Sequence, residues 1–84
     1  RATVEGRVHQ MAEKMRDGRQ LLVVTIADDS GELNVLFTAG HGGNDIQPGQ
    51  VVRFSGKAHQ TGTRPIFLAD PEYRIVETPE GISP

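Results

Sequence analysis

Cationic side chains gather at two places in this 84-residue chain. Lys14, Arg16 and Arg19 surround Asp17-Gly18, while Lys57, His59 and Arg64 border a second turn-like stretch, HQTGTR. Ammonium and guanidinium groups at such spacings can contact successive phosphates of a polyanion, which needs charge and reach but no catalytic geometry. The same groups also make an ordinary solvated hairpin. For Lys57, His59, Arg64 and nearby Arg53, phosphate contact and a merely soluble strand edge stand level. Other constellations carry less. His9, His41 and His59 lie far apart and lack the short ligand spacing of a zinc site. The run Gly40-His41-Gly42-Gly43 has no Gly-Lys-Ser/Thr after it, so it is not a phosphate-cradling P-loop. Asp28 and Asp29 could form an acid–base pair or hold Mg, but aspartate at the opening of a turn has a simpler explanation. No Ser/His/Asp or Cys/His arrangement stands out, so the chain itself is expected to have no catalytic residue, metal site or cofactor.

The elements that must position these groups read as strands. Gln20 to Phe37 holds two apolar, β-branched runs around Asp28-Asp29-Ser30-Gly31, a strand–turn–strand pattern. Leu21 to Ile26 is apolar on both faces apart from Thr25, so this strand is expected to be covered on both sides, as in a closed small barrel. Thr3 to His9 alternates, with Gly6 in its middle marking a bulge or bend. Met11 to Arg19 follows, with Asp17-Gly18 as a hairpin turn; Ala12 to Met15 reads either as a helical turn or as an extended hairpin arm. Thr38 to Gln47 is glycine-rich and irregular. Gln50 to Ala58 and Pro65 to Ala69 complete the strands, Asp70-Pro71 breaks the last one, and Glu72 to Glu77 continues extended. Five strands with a long connection between the third and fourth are the order of an OB-fold, an all-β Greek-key barrel. Phe37, Phe54 and Phe67 are assigned to its core, with base stacking as the alternative for Phe37. Met15 is assigned to covering the open end, with an apolar wedge against a base as its alternative, and Tyr73 to packing through its ring while its hydroxyl hydrogen-bonds.

The length allows one domain with an economical core. The absence of cysteine excludes a disulfide framework and a thiolate metal site, and it fits a reducing, cytoplasmic setting. No apolar run approaches the length needed to span a bilayer, and no membrane partner is expected. The start at Arg1 and the Pro/Gly-rich end suggest a domain, residues 1–77, with a linker over 78–84 leading to the rest of a longer protein. The net charge of −2 runs mildly against a nucleic-acid partner. Its distribution is uneven: residues 1–25 carry +2, residues 26–50 carry −4 and residues 51–84 balance.

Several segments together resemble the OB-type wedge domain of RecG-type ATP-dependent DNA helicases. They are Val4-Glu5-Gly6-Arg7-Val8, Gly18-Arg19-Gln20-Leu21-Leu22, Asp28 to Gly31, Leu33 to Phe37, Pro48-Gly49-Gln50-Val51-Val52 and Ser55-Gly56-Lys57. The most specific is Asp70-Pro71-Glu72-Tyr73-Arg74, and Gly81-Ile82-Ser83-Pro84 resembles the segment that leaves the wedge. The resemblance implies a binder of branched or single-stranded DNA that helps split strands at replication forks during repair and recombination. It also implies partner motor domains in the same parent chain, where ATP and Mg would act, and no enzyme activity in this segment alone. It favours phosphate contact by Lys14, Arg16 and Arg19. The chain has Thr38 where that family usually carries an aromatic, and Gln60-Thr61 where it commonly carries a basic–aromatic pair. An RNA-binding OB module of the tRNA anticodon-binding type and a protein-interaction OB domain are the alternatives.

Overall fold

The computed structural model describes residues 2–29, 31–38, 40, 42–59 and 67–80, apart from the side chain of Phe67. The strands are β1 (Ala2–Arg16), β2 (Arg19–Asp28), β3 (Gly31–Thr38), β4 (Val51–Gly56), β5 (Ala58–His59), β6 (Phe67–Ala69) and β7 (Glu72–Glu77). They form one sheet in the order β5-β6-β3-β2-β1-β4-β7, with no helix among the described residues. Only Lys57 separates β4 from β5, and only Asp70-Pro71 separates β6 from β7. The last two expected strands are therefore each present as two segments. Because β6 runs parallel to β3 while β7 pairs with β4, this broken strand bridges distant parts of the sheet and curls it.

The curl is set by β1. Its first half, Ala2 to Arg7, pairs with β4, and its second half, Arg7 to Arg16, pairs with β2. The register slips at His9, between Val8 and Gln10, a bulge that bends the strand. Val8 extends the first pairing: its amide donates to the Gln50 carbonyl (2.8 Å), and its carbonyl accepts from the Gly49 amide (2.9 Å). Gly6 permits the close approach this bend requires, since a Cβ there would lie 2.8 Å from the Ala27 carbonyl oxygen. From Gln10 onward, β1 pairs with β2 alone among the described residues. The region read as either a helical turn or an extended arm is thus the arm, and β-pairing to residues 20–23 holds it.

The core is Val8, Val24, Ile26, Val35, Phe37, Ile46, Val52, Phe54 and Leu68. All but Ile46 come from inward strand positions, as the period-two alternation requires. Ile46 comes from the glycine-rich connection, which forms turns and bends rather than a helix. Gly43 in that connection has φ +89° and would bring a Cβ within 2.8 Å of Leu22, so the chain passes over the barrel end only because no side chain is there. Tyr73 fastens the connection down. Its ring meets Phe37 edge-on at 5.4 Å, while its hydroxyl donates to Asp45 and accepts from the Gly43 amide (3.1 Å). Burial of the ring and the Asp45 carboxylate both raise the phenol pKa, outweighing the Gly43 amide, which lowers it. Gln50 is buried and satisfied: its carbonyl oxygen accepts from the Gln47 amide (2.7 Å), and its amide donates to the Thr78 hydroxyl (3.3 Å).

Coverage of β2 differs from expectation. Val24 and Ile26 are buried on the inner face, but Leu21, Val23 and Thr25 on the outer face are only half-buried. No second layer packs there among the described residues, because β1, β2 and β3 form a single sheet whose outer side faces away from the core.

Two outcomes check this account. Gly6→Ala should cost about 2 kcal/mol, since its new methyl meets backbone rather than a yielding side chain; thermal unfolding should show a Tm lower by about 10 °C. Tyr73→Phe should cost about 1 kcal/mol at neutral pH. The wild-type phenol's contribution is complete below the unfolded value of 10.0 and is lost as pH rises through the higher folded value. Urea titrations at neutral and strongly alkaline pH should therefore show the gap between wild type and Tyr73→Phe narrowing at the alkaline end.

Candidate functional site

Register alone brings three of the cations to one face. Arg16 lies opposite Arg19, Lys14 opposite Leu21, Ala12 opposite Val23 and Gln10 opposite Thr25. Across β2 and β3, Leu21 lies opposite Thr38, Val23 opposite Leu36 and Thr25 opposite Asn34. These positions alternate with the buried Val24, Ile26, Val35 and Phe37, so they share the outer face. Its floor is half-buried Leu21, Val23 and Leu36, and the Thr25 hydroxyl donates to the Asn34 side-chain oxygen (2.9 Å). Lys14, Arg16 and Arg19 are exposed along one margin. Where the margin meets the floor, Arg16, Asp17, Arg19, Leu21 and Thr38 line an open depression.

The far margin is reached through β6 and β5. His59 pairs with Phe67, which pairs with Asn34, so His59 lies in the row of Asn34, Thr25 and Gln10. From Lys14 to His59 is four strand steps in the sheet order, about 19 Å measured across strands spaced about 4.8 Å apart. Lys57 is exposed at the break between β4 and β5. Arg64 lies outside the described residues, as do Gln60 and Thr61. Arg53 is occupied: its guanidinium contacts Glu5 at 2.8 Å on the pairing of β1 with β4, away from the floor.

The face is electrically lopsided. β2 runs from Arg19 to Asp28, ten residues, or about 30 Å. One end carries the arginine turn. The other carries Asp28 and Asp29, with Glu32 beside them at 3.9 Å from His9. A polyanion is drawn to the first end and turned away from the second.

One side-chain assignment changes. Met15 does not cover the barrel's open end: it is 70% exposed, because the β1–β2 arm runs past the barrel and places Met15 opposite Gln20. Gln20 in turn donates to Glu13 (3.0 Å), so polar neighbours surround the arm's inner side. Phe37 and Phe54 are buried, as their assignment to the core expects, and neither is available to stack on a ligand. The side chain of Phe67 lies outside what is described.

Sequence reasoning missed Asp70. Its carboxylate accepts from both the Thr38 amide (2.7 Å) and the Thr38 hydroxyl (2.9 Å), while its own amide donates to the Leu36 carbonyl (2.7 Å). With φ at 45°, Asp70 turns the chain between β6 and β7 and clamps the end of β3 beside the depression. The Asp-Pro pair signalled the break, but nothing in the sequence pointed to Thr38 as its partner.

Compared with known families, residues 2–77 match the tRNA anti-codon family, described as an OB-fold nucleic acid binding domain. No curated protein and no solved structure matches the chain.

Proposed function

Because the chain belongs to the OB-fold nucleic acid binding domain family, we propose that its outer β2–β3 face holds a single nucleic-acid strand. Lys14, Arg16 and Arg19 contact phosphates, and the strand runs over Leu21, Val23 and Leu36 toward His59. The observation that carries this reading is the register that sets all three cations beside an apolar floor, with the acidic turn at the opposite end. Strands 2 and 3 with their flanking loops are where OB-folds take oligonucleotides. Among the described residues the floor has no exposed aromatic, so bases would lie on aliphatic groups and guanidinium planes. Lys57, exposed at the break between β4 and β5, is a further contact for a strand that continues past β5.

The setting we assign is the wedge of a RecG-like DNA helicase, cytoplasmic, with motor domains elsewhere in the parent protein supplying ATP and Mg chemistry. The motif order from Val4 to Arg74, above all Asp70-Pro71-Glu72-Tyr73-Arg74, supports it. A second reading, an RNA-binding module of the anticodon type, is favoured by the designation of the matching family.

Fluorescence anisotropy with a labelled model fork, single-stranded DNA and tRNA separates the readings. Preference for the fork supports the wedge, preference for tRNA supports the second reading, and no binding to any of them at low salt overturns both. For a single strand, three phosphate contacts predict a slope of log K against log salt of about −2. Reversing the charges of Lys14, Arg16 and Arg19 together to Glu should cut affinity more than tenfold and flatten that slope.

A further inference from the structure

The depression at the arginine margin contains a group that phosphate binding does not explain. Asp17 lines it together with Arg16, Arg19, Leu21 and Thr38. A carboxylate beside two guanidiniums weakens their pull on phosphate, so phosphate binding alone gives it no task. It is not paired with them: among the described residues, the side chains of Arg16, Asp17 and Arg19 make no hydrogen bond or ion pair. The turn holds Asp17 in place. Its φ is 52° and that of Gly18 is 76°, the pair of positive values that a two-residue hairpin turn of this hand demands. Leu21 supplies an apolar wall, and the hydroxyl of Thr38 is anchored on Asp70.

An apolar wall, two cations and an unpaired acceptor at the rim suit a nucleotide better than a bare phosphate. The base rests on Leu21, a guanidinium meets the phosphate, and the carboxylate reads the edge of the base. A carboxylate accepts only, through two oxygens side by side. Unstacked bases are read on their Watson–Crick edges. Guanine alone presents two adjacent N–H donors there, at N1 and N2. Adenine and cytosine each offer one amino group beside an acceptor, and thymine or uracil offers one N–H between two carbonyls. We infer that the depression between Arg16, Asp17, Arg19, Leu21 and Thr38 is a guanine-selective subsite, with Asp17 as the residue that sets the preference. The inference rests on the single-strand reading above and adds base selection to it.

The test uses oligothymidylate 12-mers carrying one central guanine, inosine, adenine or cytosine, with anisotropy read at one fixed salt concentration. The guanine oligomer should bind about tenfold tighter than oligothymidylate, and inosine, which lacks the N2 amino group, should fall between. Asp17→Asn keeps the turn, since Asn-Gly suits it as well as Asp-Gly. It should bind oligothymidylate more tightly than wild type, having lost a negative charge, and show no guanine preference. Equal binding of all four oligomers by wild type, or a guanine preference that survives Asp17→Asn, overturns the subsite alone. Failure to bind any oligomer overturns the single-strand reading with it.

Discussion

A single strand serving two neighbours is the constraint on which the barrel depends. β1 pairs with β4 along its first half and with β2 along its second, so it must bend where the partners change. Three residues share the work. Gly6 lets the Ala27 carbonyl approach to a distance no side chain would allow, His9 takes up the extra length of the bulge, and Val8 plugs the inside of the bend. A straight β1 would leave β4 and β2 in one flat sheet with the aromatic cluster of Phe37, Phe54 and Tyr73 exposed on its face. The bend lets these rings meet at 5.4 to 6.3 Å and close the interior. An apolar core of this size follows from the curl, since each inward strand position can then face others across the barrel.

The outer face pays for this economy. One layer of strands cannot cover both sides of β2, so Leu21 and Val23 are left half-buried where the sequence pattern suggested full cover. The incomplete cover is also what makes the face usable. Small half-buried aliphatic groups give a surface a flat ligand can lie on, and the cations stand at its margin because the β1–β2 turn ends there. The clamp of Asp70 on Thr38 keeps the third strand in register at the same end.

Much of this was legible in the residues. Period-two alternation located the inward side chains of β1 and β4, and Asp-Gly and Asp-Pro located the turn and the break. Tyr73 had to satisfy its hydroxyl if its ring was packed, and it does so on Asp45 and Gly43. What stayed hidden depended on contacts between distant positions. The apolar run Leu21 to Ile26 looks the same whether one or both of its faces are covered, because hydrophobicity records tolerance of burial and not the presence of a second layer. Met15 resembles a core residue by type, yet it sits beyond the barrel because the arm's length, set by its pairing with β2, carries it there. Gln50 looks like a surface residue, and only the folded backbone shows the part-buried amide of Gln47 that its side chain satisfies. That Lys14, Arg16 and Arg19 share a face depended on β1 being extended rather than helical at Ala12 to Met15, which local propensity left open.

The arm has one further consequence. From Gln10 to Arg16, β1 has a hydrogen-bonded neighbour on one side only among the described residues. Its other side presents a ladder of unused amides and carbonyls, the kind of template that lets two copies of a chain zip together into a continuous sheet. Lys14 and Arg16 stand on that ladder. In an antiparallel pairing of two arms, they would bring four positive charges into one small area. The side chains that invite a polyanion thus also act as gatekeepers against self-association, and neutralising them would remove both attraction and guard at once.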